Sequence, residues 1–210
     1  IILMCLVWLL FLWNKNPGII DVFWSIAILI TGIHFSYAPT VSAARMTIQC
    51  LLLLWAIRLS GYLLVTRVIP RHVDQRYEDM SKQWKLSKNL GFLLNFQMQA
   101  IFAMIIAIPF LFVIDITHFS AAVIIGIVLV VIGIIGETMA DYQLQQFKRE
   151  HSGGICEAGL WYYSRHPNYF FEWLIWLGFA ISGIVTMYGW IGLISPLFLL
   201  VMMLNVTGPI

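Results

Sequence analysis

The chain has 210 residues, of which 61% are hydrophobic and only 10% charged, and its mean hydropathy is +0.89. Soluble domains carry about 25% charged residues, so this composition excludes a soluble globular fold, a disordered chain and a nucleic-acid binder, while apolar residues along the whole length exclude a single membrane anchor. What remains is one all-α, polytopic membrane domain, and a net charge of +2 selects no partner.

Seven apolar stretches follow one another, at roughly 1–13, 19–37, 41–66, 90–113, 119–147, 168–186 and 188–206. A bilayer span takes about 20 residues, so the first is short and the fifth is long enough for its end to project into water. No alternation of period 2 marks a β-barrel, which leaves helices as the spanning element. Asn16-Pro17-Gly18 and Ala38-Pro39 are helix breaks, and Gly189 divides the last two stretches. No internal repeat is present. Ile1 begins no signal peptide, and the abrupt end at Asn205 to Ile210 suggests that both ends of a longer protein are missing.

Ten of the twelve Lys and Arg residues fall on one side: Lys15, then Arg67, Arg71, Arg76, Lys82, Lys85 and Lys88, then Lys148, Arg149 and Arg165. The positive-inside rule makes that side cytoplasmic. Arg45 alone lies opposite, and Arg58 lies inside the third stretch. The same bias suits an anionic cytosolic ligand.

An ionisable group within a span costs about 2.5–3.5 kcal/mol on insertion scales and needs a reason. Asp21 opens the second stretch, as a partner for the helix dipole or as a site group. Arg58 sits one turn from Tyr62, too deep to snorkel, and requires a buried partner or a ligand. The run between stretches three and four contains Asp74-Gln75-Arg76-Tyr77-Glu78-Asp79 and then Trp84. It reads as a solvated loop, in which Arg76, Tyr77 and Trp84 could clamp a phosphate and stack on a planar ring. Glu137 and Asp141 share one helix face, continued by Gln145 and Lys148; Gly126, Gly133 and Gly136 on that helix permit close packing.

The densest run of candidate groups is Gly159 to Glu172, with Arg165 and His166 directly before a helix that starts at Pro167, and Asn168 and Glu172 one turn apart. A helix N-terminus flanked by Arg and His is a physical anion site. Cys5, Cys50 and Cys156 have neither metal-ligand nor disulfide-framework spacing, and no metal, Walker or Gly-x-Gly-x-x-Gly motif occurs. Together these groups suggest a cytosol-facing cavity for a large anionic cofactor, with a lipophilic substrate entering from the bilayer lipids.

The chain resembles the steroid 5-alpha-reductase superfamily, in particular its bacterial branch, from about Asp21 onward. The residues that carry the resemblance are Asp21-Val22-Phe23-Trp24, Arg58 to Tyr62, Asp74 to Tyr77, Glu137 to Asp141 with the following residues to Phe147, and Gly159 to Glu172. The last motif is shared with sterol reductases and isoprenylcysteine carboxyl methyltransferases. The resemblance implies seven helices in the bacterial inner membrane, NADPH on the cytoplasmic side, and hydride transfer to the activated C=C bond of a lipophilic enone such as a 3-oxo-4-ene steroid. It implies cofactor contacts at Arg58, Arg67, Asp74, Arg76 and Tyr77, and again at Glu137, Asp141, Lys148, Tyr163, Arg165, His166, Asn168, Tyr169 and Glu172. It implies a catalytic pair formed by a carboxyl group and a tyrosine. Asp21 takes the carboxyl position, Trp55 stands where the tyrosine is expected, and Tyr62 is a substitute. Phe171 replaces a small residue and is expected to narrow the cofactor cavity, and the family continues past Ile210 into a polar segment. The alternatives are an S-adenosylmethionine-dependent methyltransferase and a non-enzymatic lipid-binding protein.

Overall fold

A computed structural model of the chain describes residues 1–70, 75–151 and 153–207, with backbone alone at 75, 76, 206 and 207. The described residues are helical, with no strand among them. Three helical stretches are long and apolar enough to cross a membrane: Ala43–Val68, Lys88–Val113 and Ala121–Glu150. Shorter apolar helices run over Ile2–Asn14, Ile19–Phe35 and Gly189–Asn205. Their outward faces carry Leu, Ile, Val and Met, as at Ile124, Ile125, Val128 and Ile132. Such faces match hydrocarbon and not water. The chain divides into two compact units.

The first unit comprises residues 1–35 and 52–107. It holds α1 (Ile2–Asn14), α2 (Ile19–Phe35), the second half of α3 (Ala43–Leu63), a π-helical turn at Leu64–Val68, α4 (Gln75–Gln83) and α5 (Lys88–Ile106). Met4, Val7 and Phe11 recur at helical spacing on α1, and Phe92, Phe96 and Ala100 do so on α5. These two stripes meet, with the Phe11 and Phe92 ring centroids 4.6 Å apart. The break at Asn16-Pro17-Gly18 has a local cause. Lys15 takes a left-handed conformation and its N–H closes α1 on the Phe11 carbonyl. The Asn16 side chain then accepts from Gly18 N at 2.9 Å, an Asx turn that launches α2.

The run read as a solvated loop contains a helix, α4. Its aromatic residues pack on neighbouring helices: Tyr77 is buried against the α1–α5 core, and Trp84 sits edge-on to Phe92 at 4.9 Å in the notch left by Gly91. The aromatics cluster with charges there because they anchor a polar helix to α5.

The second unit comprises residues 36–51 and 108–210. It contains α6 (Phe110–Val113), α7 (Ala121–Glu150), a 3-10 turn at Gly159–Tyr162, α8 (Pro167–Gly183), a 3-10 turn at Gly189–Leu193, and α9 (Ile194–Met202). Ser120 caps α7, accepting from Val123 N, and Pro167 is placed at the start of α8. Gly189 lies where the reading divided the last two stretches: α8 ends at Gly183, and a Cβ on Gly189 would collide with the Gly183 carbonyl.

Helices α7 and α8 meet through the glycines. A Cβ on Gly126 would lie 2.5 Å from the Gly178 carbonyl oxygen, and one on Gly178 would lie 2.7 Å from the Gly126 carbonyl oxygen. Phe171 lays its ring in the notch at Gly136. Part of its bulk is therefore taken up between α7 and α8.

Arg45, the charge that the positive-inside count leaves on the wrong side, is buried. Its Nη1 donates to the Ile114 carbonyl oxygen at 2.8 Å, at the end of α6. That carbonyl is one of the acceptors a helix C-terminus leaves over. Arg45→Met is expected to destabilise the protein by about 1–3 kcal/mol by orphaning it, read as a lowered thermal midpoint in detergent.

Candidate functional site

In the first unit the polar groups converge on Asp21, in the first turn of α2. Its Oδ1 accepts from the Tyr77 hydroxyl at 2.6 Å, and its Oδ2 accepts from Arg67 Nη1 at 2.7 Å. The side chains of Arg67 and Asp21 are 31% and 22% exposed, so water reaches both but does not dominate either. Arg67 stands on the π-helical turn, a geometry often found at functional sites. The Asn16 amide donates to the Arg67 carbonyl oxygen at 3.5 Å, so the turn that launches α2 also touches the segment carrying its ion-pair partner.

Asp21 shares its hydrogen bonds with Arg67 and Tyr77. The tyrosine on it is Tyr77, from the Asp-x-Arg-Tyr run, and not Tyr62. The Tyr62 ring instead lies beneath the Arg58 guanidinium, 5.6 Å from centroid to Cζ, as expected for residues one turn apart. Trp55 is fully buried, and its indole offers a donor only. With both oxygens accepting, Asp21 is arranged as an anchor for donors, not as a donor itself. Arg67 and Tyr77, read as cofactor contacts, are placed on Asp21. Asp74 and the side chain of Arg76 lie outside the described residues. The sequence signal for Tyr77 was an aromatic in an otherwise charged run.

In the second unit Glu137 and Asp141 are each only 5% exposed, one turn apart on α7 and on the side that carries Gly133 and Ala140. The 3-10 turn docks on the same helix: Leu160 N donates to Gln143 Oε1 at 2.9 Å, and Trp161 Nε1 donates to the Ala140 carbonyl oxygen at 2.9 Å. Gly159 takes φ +58°, and a Cβ there would strike Gln143. Gly159 and Trp161 of the dense motif are thus docking residues. Glu172 Oε1 accepts from Trp176 Nε1 at 2.8 Å, one turn along α8.

His166 precedes α8 and stacks on Tyr169, with ring centroids 5.0 Å apart and planes 15° from parallel. Both line a cleft of about 480 Å³ whose other walls are Phe170, Trp173, Leu200 and Met203. Asn168 Oδ1 is buried with no hydrogen-bond partner among the described residues. Lys148, Tyr163 and Arg165 are exposed. Among the described residues no group of His, Cys, Asp and Glu could hold a metal ion, and the three cysteines are free.

Residues 7–210 match a family described as a protein of unknown function (DUF1295). The chain belongs to that family. DUF1295 is associated with steroid 5-alpha-reductase-like proteins. No curated protein and no solved structure matches the chain.

Proposed function

We propose that the chain is a multi-pass membrane reductase with seven spans and cytoplasmic polar loops, which uses NADPH to reduce the activated C=C bond of a lipophilic enone. The observation that carries this reading is the Asp21 cluster, in which one carboxylate holds a phenol and a guanidinium at 2.6 and 2.7 Å. Three polar side chains gathered at the end of an apolar helix are costly for packing alone. They are well suited to an oxygen that gains negative charge, because preorganised donors act most strongly where charge develops.

The residues of the second unit fit the cofactor. Asn168 presents a buried acceptor to a donor that the described residues do not supply, which an amide or a sugar hydroxyl could provide. Arg165 and Lys148 offer cations to phosphates, and His166 with Tyr169 offers a stacked aromatic wall. When bound, NADPH supplies a hydride to the β-carbon. Asp21 orients the Tyr77 hydroxyl and the Arg67 guanidinium. Tyr77, whose one O–H is given to Asp21, holds the carboxylate in place, while the guanidinium of Arg67, with five N–H donors, stabilises the carbonyl oxygen as it becomes enolate-like, and a proton from solvent completes the saturated ketone.

The test is turnover by the purified protein with NADPH and a 3-oxo-4-ene steroid, read as loss of reduced-nicotinamide absorbance and a product heavier by two hydrogens. Absence of both turnover and NADPH binding would overturn the reading. A thermal shift with S-adenosylmethionine and none with NADPH would move the assignment to methyl transfer.

A further inference from the structure

A second polar cleft lies in the first unit, apart from the Asp21 carboxylate but sharing one wall with it. It has a volume of about 320 Å³, at the lower end of the roughly 300–1,000 Å³ typical of small-molecule sites. Its floor is aromatic, from Phe11, Tyr77 and Phe92, and its rim carries Lys15, Lys88 and Glu78. The left-handed turn at Lys15 places one ammonium group at the end of α1. Lys88, the first residue of α5, brings the other. The wall between them is tied, because Trp8 Nε1 donates to the Asn89 carbonyl oxygen at 2.9 Å.

The nearby charges sort into used and unused. Lys82 pairs with Asp79 at 3.0 Å. Among the described residues, Lys15, Lys88 and Glu78 take part in no side-chain hydrogen bond or ion pair. The cleft opens where two apolar helices reach their polar ends. Trp13, 86% exposed and next to the last residue of α1, is the kind of residue that marks headgroup depth in a bilayer.

We infer that this cleft binds the headgroup of a phosphodiester lipid bearing a primary ammonium. The charge pattern selects that chemistry. Two ammonium groups suit a phosphodiester. A carboxylate on the same rim disfavours a bare phosphate dianion and accepts N–H bonds from a headgroup ammonium. A choline headgroup has the same charge but no N–H to donate. The aromatic floor packs against the acylated end of the lipid, where its apolar chains begin. Because Tyr77 is both part of that floor and the donor to Asp21, a bound headgroup buttresses the phenol in its place.

Native mass spectrometry of the delipidated protein tests the inference without reference to catalysis. Phosphatidylethanolamine is expected to be retained about tenfold over phosphatidylcholine, equivalent to about 1.4 kcal/mol. Lys15→Gln with Lys88→Gln is expected to abolish retention of both lipids, and Glu78→Gln to equalise them. All three positions are on the surface, and an unchanged thermal midpoint would verify folding of the variants. Equal retention of the two lipids by the unaltered protein would overturn the inference. So would undiminished retention by the double lysine variant, or displacement of the lipid by millimolar inorganic phosphate, which would indicate a site for soluble anions.

Discussion

Asp21→Ala is expected to lower steroid turnover by about 10²- to 10³-fold, the range associated with losing a preorganised donor at a developing oxyanion. The variant removes the acceptor of both donors at once, freeing the Tyr77 phenol and the Arg67 guanidinium to rotate. Asp21→Asn is nearly as severe: its amide offers one accepting oxygen where two are needed and turns an NH₂ toward one donor. Tyr77→Phe removes a single hydrogen bond to a charged group, worth about 1.5–3 kcal/mol, or about 10- to 150-fold. Tyr62→Phe is the decisive comparison. If the geometry assigns the tyrosine correctly, its turnover stays within about twofold of the unaltered protein while that of Tyr77→Phe falls. The reverse ranking would return the role to Tyr62. The loss belongs in kcat more than in KM, because the Arg67 guanidinium that Asp21 and Tyr77 position gains strength only as the carbonyl oxygen becomes charged. Solvent reaches both members of the Asp21–Arg67 pair, which keeps that pair's share of the stability cost to about 1 kcal/mol, and the thermal midpoint of each variant separates a catalytic defect from unfolding.

Gly126→Val is expected to be the most destabilising single change on α7. Even a Cβ at Gly126 lies 2.5 Å from one backbone oxygen of α8 and 2.9 Å from the Ser182 nitrogen, and neither can rotate away. Overpacking a core costs about 1–3 kcal/mol where side chains can adjust, and here the two helices themselves have to separate. Gly136→Ala meets a different obstacle, the Phe171 ring. A smaller residue at 171 is therefore expected to rescue it, whereas no side-chain truncation on α8 rescues Gly126→Val. Thermal unfolding of the two single variants and of Gly136→Ala with Phe171→Leu checks this.

The helical segments were legible because hydropathy is a property of long windows, and Pro17, Gly18 and Pro167 act on their own neighbours. The reading failed where a short polar segment folded for reasons outside itself. Helix α4 is held by Tyr77 and Trp84 on α5, and the notch that receives Trp84 is made by Gly91, seven residues further on. The interruption between α5 and α6 at Pro109 fell inside one continuous apolar stretch and was equally invisible. Arg45 was counted as a topology signal, although its guanidinium serves the carbonyl of Ile114, far away in sequence. At the site, the types of residue were legible and the pairing was not. Asp21, Arg67 and Tyr77 all stood out as polar groups in a sparse chain. Which tyrosine reaches Asp21 depends on the path of the chain through residues 64–77, and no periodicity describes it.

The π-helical turn at Leu64–Val68 carries a consequence of its own. A π turn holds one residue more than the α-helix it interrupts, and each α-helical residue advances the direction of its side chain by about 100°. Deleting any one residue between 64 and 66 would let the segment relax to regular α-helix and swing the guanidinium of Arg67 about a quarter-turn away from Asp21, with every charged residue of the chain still present. The ion pair is thus written into the chain partly as a length. A comparison of relatives that scored only which amino acids match would pass over the change that breaks it.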